Sequence, residues 1–187
     1  MERKTIIEVV VLVALIAGGI YLWLNQAEVS DLESELEGYE PPLAAEPYLA
    51  LIKSSASSND VPWPLMCEEL ATESGFDPNA TNPSGAEGIA QFLPATAQSL
   101  GVNAMDPNSA IPGMAQYLAS LYAQISAAGY GNSWALTLAA YDWGIGNVLN
   151  ALSQGTPYDQ WPQETQNYVY TITQNSGVDV ATGEQFA

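Results

Sequence analysis

One carboxyl group in this sequence has the setting of a proton donor. Met66, Leu70 and Glu73 fall at positions i, i+4 and i+7, so on a helix they share one face and Glu73 ends an apolar stripe. A glutamic acid at the margin of a core is disfavoured as an anion, which raises its pKa toward that of a glycosidic general acid. By itself the position is more typical of a solvated or capping glutamate. The interpretation therefore depends on the rest of the chain.

The residue types that are missing narrow the chemistry. The 187 residues include no histidine, which excludes Ser-His-Asp and Cys-His nucleophilic systems and His-liganded zinc hydrolases. The only cysteine is Cys67, which excludes an intramolecular disulfide and a cysteine metal cluster and indicates a packing residue. Any reaction must use carboxylates, hydroxyls and amides.

Basic residues are confined to the first part of the chain. The chain has three basic residues, Arg3, Lys4 and Lys53, and 21 acidic residues, so its net charge is -18. Such a surface does not neutralise nucleic-acid phosphates or attract anionic lipid headgroups. The charge therefore excludes nucleic acid as a partner and is compatible with a neutral sugar polymer.

Short motifs follow Glu73 in a recognisable order. They are ESGFDPNATNPSGAEGIAQFLPATAQSLGV, then AAYDWGIGNV, then PQETQNYV. Together they resemble the soluble lytic transglycosylase family, with its catalytic Glu-Ser, Asn-Pro or Ser-Pro turn, Gly-Leu-Met-Gln with Pro-Ala-Thr-Ala, Ala-Tyr-Asn-x-Gly and Glu-Thr-x-x-Tyr-Val. The resemblance covers about residues 48–175. It implies an all-α, lysozyme-like domain in which a short hairpin would be the only β structure.

The resemblance assigns roles to the residues around the first motifs. Glu73 takes the place of the single catalytic acid/base. Ser74 would fix the local turn or reach the substrate, and Asn82 would lie near the sugar. Gln91 would donate an amide hydrogen bond in the substrate groove.

Later motifs supply further substrate-binding candidates. Tyr141 stands where the family's tyrosine hydrogen-bonds the catalytic glutamate, and packing in the core is its alternative role. Asp142 replaces the family's Asn, so it either raises the pKa of Glu73 by like-charge proximity or accepts a hydrogen bond from a substrate amide. Glu164 and Tyr168 match the Glu-Thr-x-x-Tyr pattern and would contact sugar or stem peptide.

The reaction implied by the resemblance needs one carboxyl group rather than the usual two. The counterpart of Glu73 protonates the oxygen between N-acetylmuramic acid (MurNAc) and N-acetylglucosamine (GlcNAc), while the substrate's N-acetyl group stabilises the anomeric carbon. The carboxylate then deprotonates the C6 hydroxyl, which closes onto C1 as a 1,6-anhydro ring. No metal and no organic cofactor is needed.

Two other functions remain open. A lysozyme of the related goose type would hydrolyse the same bond, with Asp142, Asp77 or Glu87 as the base that activates water. A non-catalytic glycan-binding or scaffold subunit of a membrane machine or virion is the other alternative, and its sequence mark would be loss of the acid at Glu73.

The chain preceding this domain is predicted to be a membrane anchor and a stalk. Residues 6–24 form an apolar run of near-bilayer length preceded by Arg3 and Lys4. The positive-inside rule places the N-terminus in the cytoplasm and the domain on the far, periplasmic side of a single-pass protein. A cleaved signal peptide is the alternative, although no convincing cleavage site follows. Residues 1–24 are thus assigned to the anchor, 25–47 to an acidic stalk and 48–187 to the transglycosylase domain.

The parent system stays open at this level. A small tethered transglycosylase suits a secretion or conjugation apparatus. It equally suits a bacteriophage virion that must breach the cell wall, where the protein would be membrane-associated.

Helical periodicity and Pro, Gly and Asn breaks predict the elements that position these residues. Between residues 75 and 88 the pattern predicts a short hairpin or only loops, and a frayed tail follows residue 176. The predicted helices are 48–57, 64–74, 95–100, 111–127, 133–141, 147–152 and 164–175.

Overall fold

The structure is a computed structural model that describes residues 39–178 of the chain. The predicted membrane helix, most of the predicted stalk and the last residues of the tail lie outside this range. Among the helices of residues 39–178, none combines the length and the apolar character needed to cross a bilayer.

Within that range the chain folds into seven α-helices and two short 3₁₀ helices, without a named strand. This confirms the all-α class and every predicted helix, with boundaries that differ by at most four residues. The 3₁₀ helices are Leu43–Tyr48 and Tyr158–Gln160. The α-helices are α1 (Leu49–Ser57), α2 (Trp63–Ser74), α3 (Pro94–Leu100), α4 (Pro107–Ala127), α5 (Trp134–Trp143), α6 (Ile145–Ser153) and α7 (Gln163–Ser176).

Local sequence explains where these helices begin and end. The side chain of Asp106 accepts a hydrogen bond from the backbone N–H of Asn108, and Pro107 occupies the first turn, so α4 begins four residues before the predicted start. Helix α2 ends at Gly75, whose φ of 61° is a left-handed conformation that glycine adopts without strain. The cap at Gly75 stops α2 directly after its acidic last turn.

Helix α2 lies between the two halves of the hydrophobic core. Met66 and Leu70 pack in the half built with α1 and α4, whereas Leu65 packs in the half built with α5, α6 and α7. Helix α2 makes extensive contact with α7, which also packs against α5. The C-terminal part of α2 is therefore held against helices whose residues lie far away in sequence.

The segment between α2 and α3 is a structured loop. It contains two isolated antiparallel bridges, Thr81 with Glu87 and Glu87 with Phe92. Gly88 has a φ of +74°, and a Cβ at that position would lie 1.7 Å from the carbonyl oxygen of Ala104. Only glycine allows the loop to pack this closely against Ala104. Gly88, which belongs to the first of the sequence motifs, therefore has a steric role.

Residues 39–47, which we assigned to the stalk, belong to the folded unit. The ring of Tyr39 meets Trp63 edge-on with ring centroids 5.1 Å apart, and its hydroxyl donates to Oε1 of Glu68 at 2.8 Å. Ala45 is fully buried. The compact unit begins at Tyr39. The composition of residues 39–47 did not predict this boundary, because the segment is acidic, contains prolines and has few buried residues.

We predict that removing residues 1–38 leaves the melting temperature of the domain unchanged, whereas removing residues 1–46 lowers it. The longer deletion eliminates the Tyr39–Trp63 ring contact and leaves the buried Glu68 without its donor, which costs about 2–4 kcal/mol. Thermal unfolding followed by circular dichroism measures the difference. Tyr39→Phe is the matched control, since it removes the hydrogen bond alone. Equal melting temperatures for the two truncated proteins would contradict a domain boundary at Tyr39.

Candidate active site

The carboxyl group of Glu73 lies in the last turn of α2, partly buried between helices. The hydroxyl of Tyr168, on α7, donates a hydrogen bond of 2.6 Å to its Oε1. Burial raises the pKa of Glu73 to about 7, the Tyr168 hydrogen bond opposes this, and the charge of Asp142 adds to it. The negative end of the α2 dipole acts in the same direction as burial. Glu73 is therefore a carboxyl group that can hold and release a proton near neutral pH.

The hydrogen-bond partner of Glu73 is not the tyrosine predicted from the sequence. The hydroxyl of Tyr141 donates to the backbone carbonyl of Ala90 at 2.7 Å. Its ring packs against Tyr117 and Phe92, with centroids 5.4 and 6.1 Å away, and this directs the hydroxyl toward the loop. The predicted Tyr141–Glu73 hydrogen bond is therefore wrong. Burial raises the pKa of Tyr141 well above its usual range, and the charge of Glu73 adds to this.

Tyr168 takes the position beside Glu73 that was predicted for Tyr141. The side chain is 9% exposed, and its hydroxyl lies between two carboxyl groups, 2.6 Å from Glu73 and 3.1 Å from Glu69. Contact of Tyr168 with sugar or stem peptide stays a prediction. The Glu-Thr-x-x-Tyr spacing alone does not say which side of α7 is covered by neighbouring helices.

Glu69 is a residue of this site that the sequence interpretation missed. Its side chain is fully buried, and its Oε2 has no hydrogen-bond partner. Burial, followed by the charge of Glu73, raises its pKa well above the usual range. The available signal was the i, i+4 spacing between Glu69 and Glu73, which places both acids on one face of α2.

Asp142 lies at the solvent-exposed edge of the site on α5. The hydroxyl of Thr165 donates to its Oδ2 at 2.6 Å. Desolvation by neighbouring atoms raises the pKa of Asp142, the Thr165 hydrogen bond lowers it, and the charge of the exposed Glu164 raises it. The charge of Asp142 also raises the pKa of Glu73, after burial and against the Tyr168 hydrogen bond, and both predicted roles of Asp142 remain predictions.

Ser74 and Gln91 hold the loop that follows α2. The Ser74 hydroxyl donates to the carbonyl oxygen of Ile89 at 2.7 Å, as expected for a residue that fixes the local turn. The side-chain Nε2 of Gln91 donates to the carbonyl oxygens of Ala80 and Gly88, at 3.1 and 2.8 Å. The Gln91 amide thus donates within the loop, and its donation to substrate remains a prediction.

Asn82 shapes the exposed tip of the same loop. Its Oδ1 accepts hydrogen bonds from the backbone N–H groups of Ser84 and Ala86, at 2.9 and 3.0 Å. The side chain is exposed, so contact with a sugar remains a prediction. Among residues 39–178 no group of three or more Asp, Glu or Cys side chains is arranged to hold a metal ion.

We predict that the stability of the fold decreases as pH rises toward neutrality. The pKa of Glu73 is raised from 4.5 to about 7, so the unfolded chain loses this proton first. The stabilisation is complete below pH about 4.5 and is lost as pH rises through 7, amounting to at most about 3 kcal/mol. Chemical denaturation at several pH values should show a smaller dependence in Glu73→Gln. Asp159→Asn, at an exposed acid, should behave like the parent protein. An identical dependence in Glu73→Gln and the parent would contradict the raised pKa.

Comparisons with known proteins agree with this geometry. Residues 50–163 match the family model of the transglycosylase SLT domain. Membrane-bound lytic murein transglycosylase D of Escherichia coli (strain K12) is 31% identical over 145 residues, which are 68% of this chain and 30% of that protein. Membrane-bound lytic murein transglycosylase F of Serratia proteamaculans is 36% identical over 112 residues, 56% of this chain and 23% of that protein.

A third relative is similar over more of the chain. Membrane-bound lytic murein transglycosylase F 2 of Alkalilimnicola ehrlichii is 28% identical over 156 residues, 82% of this chain and 34% of that protein. The chain thus spans about a third or less of the length of these relatives. The family model covers more than half of the chain and includes Glu73, the loop after α2 and Asp142. The chain therefore belongs to the transglycosylase SLT domain family.

Proposed function

We propose that this protein is a peptidoglycan lytic transglycosylase, which cleaves the β-1,4 bond between MurNAc and GlcNAc and leaves a 1,6-anhydro-MurNAc end. The observation that carries the proposal is the Glu73 carboxyl group, with a pKa near 7 and a direct hydrogen bond from Tyr168. Family membership and the names of the relatives support the same activity.

The geometry of Glu73 suits a reaction that uses one proton twice. Near neutral pH a large fraction of Glu73 is protonated and can donate to the bridging oxygen, so that the C1–oxygen bond breaks and GlcNAc leaves with a new hydroxyl. The Glu73 carboxylate keeps its hydrogen bond from Tyr168. It then takes the proton of the C6 hydroxyl as that oxygen bonds to C1, which restores the acid without consuming water.

The exposed groups near Glu73 suit an uncharged substrate. Asp142, Glu164 and the Asn82 side chain are open to solvent, and carboxylates accept hydrogen bonds from sugar hydroxyls and N-acetyl amides. We assign these residues to the binding of glycan and stem peptide. No basic residue occurs after Lys53, so polyanionic substrates are disfavoured.

Glu73→Gln should fold normally and lose activity against purified peptidoglycan by at least about 100-fold, because an amide cannot donate and recover the proton. The assay is release of soluble muropeptides, and mass spectrometry identifies their ends. Products lighter by one water than reducing-end products are expected. Asp159→Asn is a matched control at an exposed acid outside the site. Comparable lysis by Glu73→Gln would refute the role of Glu73.

Hydrolysis is the second candidate, favoured by one observation. Of the three acids that could activate water, Asp142 is the one whose charge raises the pKa of Glu73, whereas the carboxylate of Asp77 accepts a local hydrogen bond from Asn79. Reducing ends in the same product analysis would identify a goose-type lysozyme. Binding of glycan without any cleavage would identify a non-catalytic subunit.

Asp142→Asn should shift the alkaline limb of the pH–rate profile to lower pH. The negative charge at Asp142 raises the pKa of Glu73, so removing the charge makes Glu73 a stronger acid that loses its proton earlier as pH rises. The shift should be larger at low ionic strength, because salt screens partly solvated charges. Rates measured at several pH values and two salt concentrations test this. An unchanged alkaline limb would contradict the coupling between the two acids.

We also propose that residues 6–24 tether the enzyme as a single-pass membrane protein with its domain on the periplasmic side. The apolar run and the preceding basic residues support this topology. Alkaline extraction of membranes should retain the full chain and release a protein lacking residues 1–38. A place in a virion or a secretion machine would be supported by stable co-purification with its structural proteins.

A further inference from the structure

The most unusual group outside the proposed proton transfer is the buried carboxyl of Glu69. It lies one turn before Glu73 on α2, and no part of its side chain is exposed. Its Oε1 lies 3.1 Å from the Tyr168 hydroxyl, and its Oε2 has no partner. An uncompensated buried carboxylate would be very costly. Lys53 is the one basic residue of the described range 39–178, and its Nζ lies over the ring of Trp63, in the first turn of α2.

The number of available hydrogens limits how Glu69, Tyr168 and Glu73 can be connected by hydrogen bonds. A tyrosine hydroxyl has one hydrogen and can also accept. The shorter contact, 2.6 Å, is to Glu73, so the hydrogen of Tyr168 is committed to that carboxyl group. In the 3.1 Å contact the Tyr168 hydroxyl is also the donor, to Oε1 of Glu69, so the two contacts would share one hydrogen. A protonated Glu69 gives each contact a hydrogen of its own, because it can donate to the tyrosine oxygen instead.

We propose that Glu69 is a positioning residue that stays protonated and acts on Glu73 through Tyr168. The neutral acid of Glu69 donates to the tyrosine oxygen, which orients the hydroxyl and polarises it toward Glu73. Hydrogen bonds in such a chain strengthen one another. The effect is greatest when Glu73 is a carboxylate, which is its state between giving the proton to the leaving oxygen and recovering one from the C6 hydroxyl. This role rests on the proposed function of Glu73.

The charge environment is consistent with a neutral Glu69. Burial, followed by the charge of Glu73, raises the pKa of Glu69 well above its usual range, and a hydrogen bond donated by Tyr168 acts in the opposite direction. Burial and the charge of Asp142 are the influences that raise the pKa of Glu73. The titratable groups facing this pair are Tyr168 on α7 and Tyr141 and Asp142 on α5. Burial and the charge of Glu73 thus both favour the neutral acid at Glu69, as the proposed arrangement requires.

The test compares Glu69→Leu with Glu69→Gln, alone and combined with Tyr168→Phe. Leucine removes the donor but fills the space, whereas the glutamine amide can still donate to Tyr168. The pKa of Glu73 is measured by carbon NMR of labelled side-chain carboxyls in the protein without substrate. Steady-state kinetics on peptidoglycan give kcat, KM and the pH profile, and circular dichroism checks folding.

Glu69→Leu should raise the pKa of Glu73 and move the alkaline limb up by about half a pH unit, since Tyr168 becomes a weaker donor to the carboxylate. We expect kcat to fall about 3-fold to 10-fold with little change in KM. Glu69→Gln should resemble the parent. Tyr168→Phe should raise the pKa of Glu73 by more, and adding Glu69→Leu to it should cause no further shift.

Three results would overturn the proposal. A lower pKa of Glu73 in both Glu69 variants would mean that Glu69 is an anion, and an unchanged pKa in Glu69→Leu would mean that it has no effect on Glu73. A full shift that persists in the Tyr168→Phe background would show that the effect does not pass through the tyrosine. Because the NMR titration needs no turnover, absence of glycan cleavage by the parent protein would refute the proposed function without deciding the role of Glu69.

Discussion

The hydrogen bond between Tyr168 and Glu73 joins residues that are 95 positions apart, in a described part of the chain whose one basic residue, Lys53, lies over Trp63. The sequence contains no histidine and no basic residue after Lys53. A buried carboxylate would ordinarily be compensated by an ion pair. Here burial works against the charged form and one neutral hydroxyl works for it, so the pKa of Glu73 settles near neutrality.

The packing of the helices holds the Tyr168 hydroxyl beside Glu73. Helix α2 passes between the two halves of the core, and α7 packs against both α2 and α5. The side chains of Ser74, Gln91 and Tyr141 donate hydrogen bonds to backbone carbonyls of the loop after α2 and hold it in place. Glu73 therefore lies on a rigid helix beside a fixed loop, which is the setting that proton transfer at a defined atom requires.

The raised pKa values of two carboxyl groups at this site lower the stability of the fold at neutral pH. Glu69 and Glu73 both have raised pKa values, so their contribution to stability is greatest at acidic pH. It declines as pH rises above the ordinary pKa of a glutamate, where the unfolded chain loses these protons first. Hydrophobic packing of α2 on both sides offsets that cost. Such local conflicts between stability and chemistry are typical of functional sites.

The sequence by itself determined the helices, the acid and the family resemblance. Helical periodicity, proline starts and glycine ends are local signals, and the structure confirms each predicted helix within four residues. Glu73 was identifiable because its neighbours on α2 and the motifs after it lie in a fixed order along the chain. The assignment of substrate-binding residues remains a prediction.

Only the tertiary structure decided which side chains meet. Tyr141 and Tyr168 are both plausible partners for Glu73 by type, and packing of the Tyr141 ring against Phe92 and Tyr117 leaves that role to Tyr168. The burial of Glu69 and the inclusion of Tyr39 in the domain have the same origin. Contacts between distant segments depend on how the helices rotate against each other. Spacing along one helix indicates which face is buried, but not which side chain of a neighbouring helix will meet a given residue.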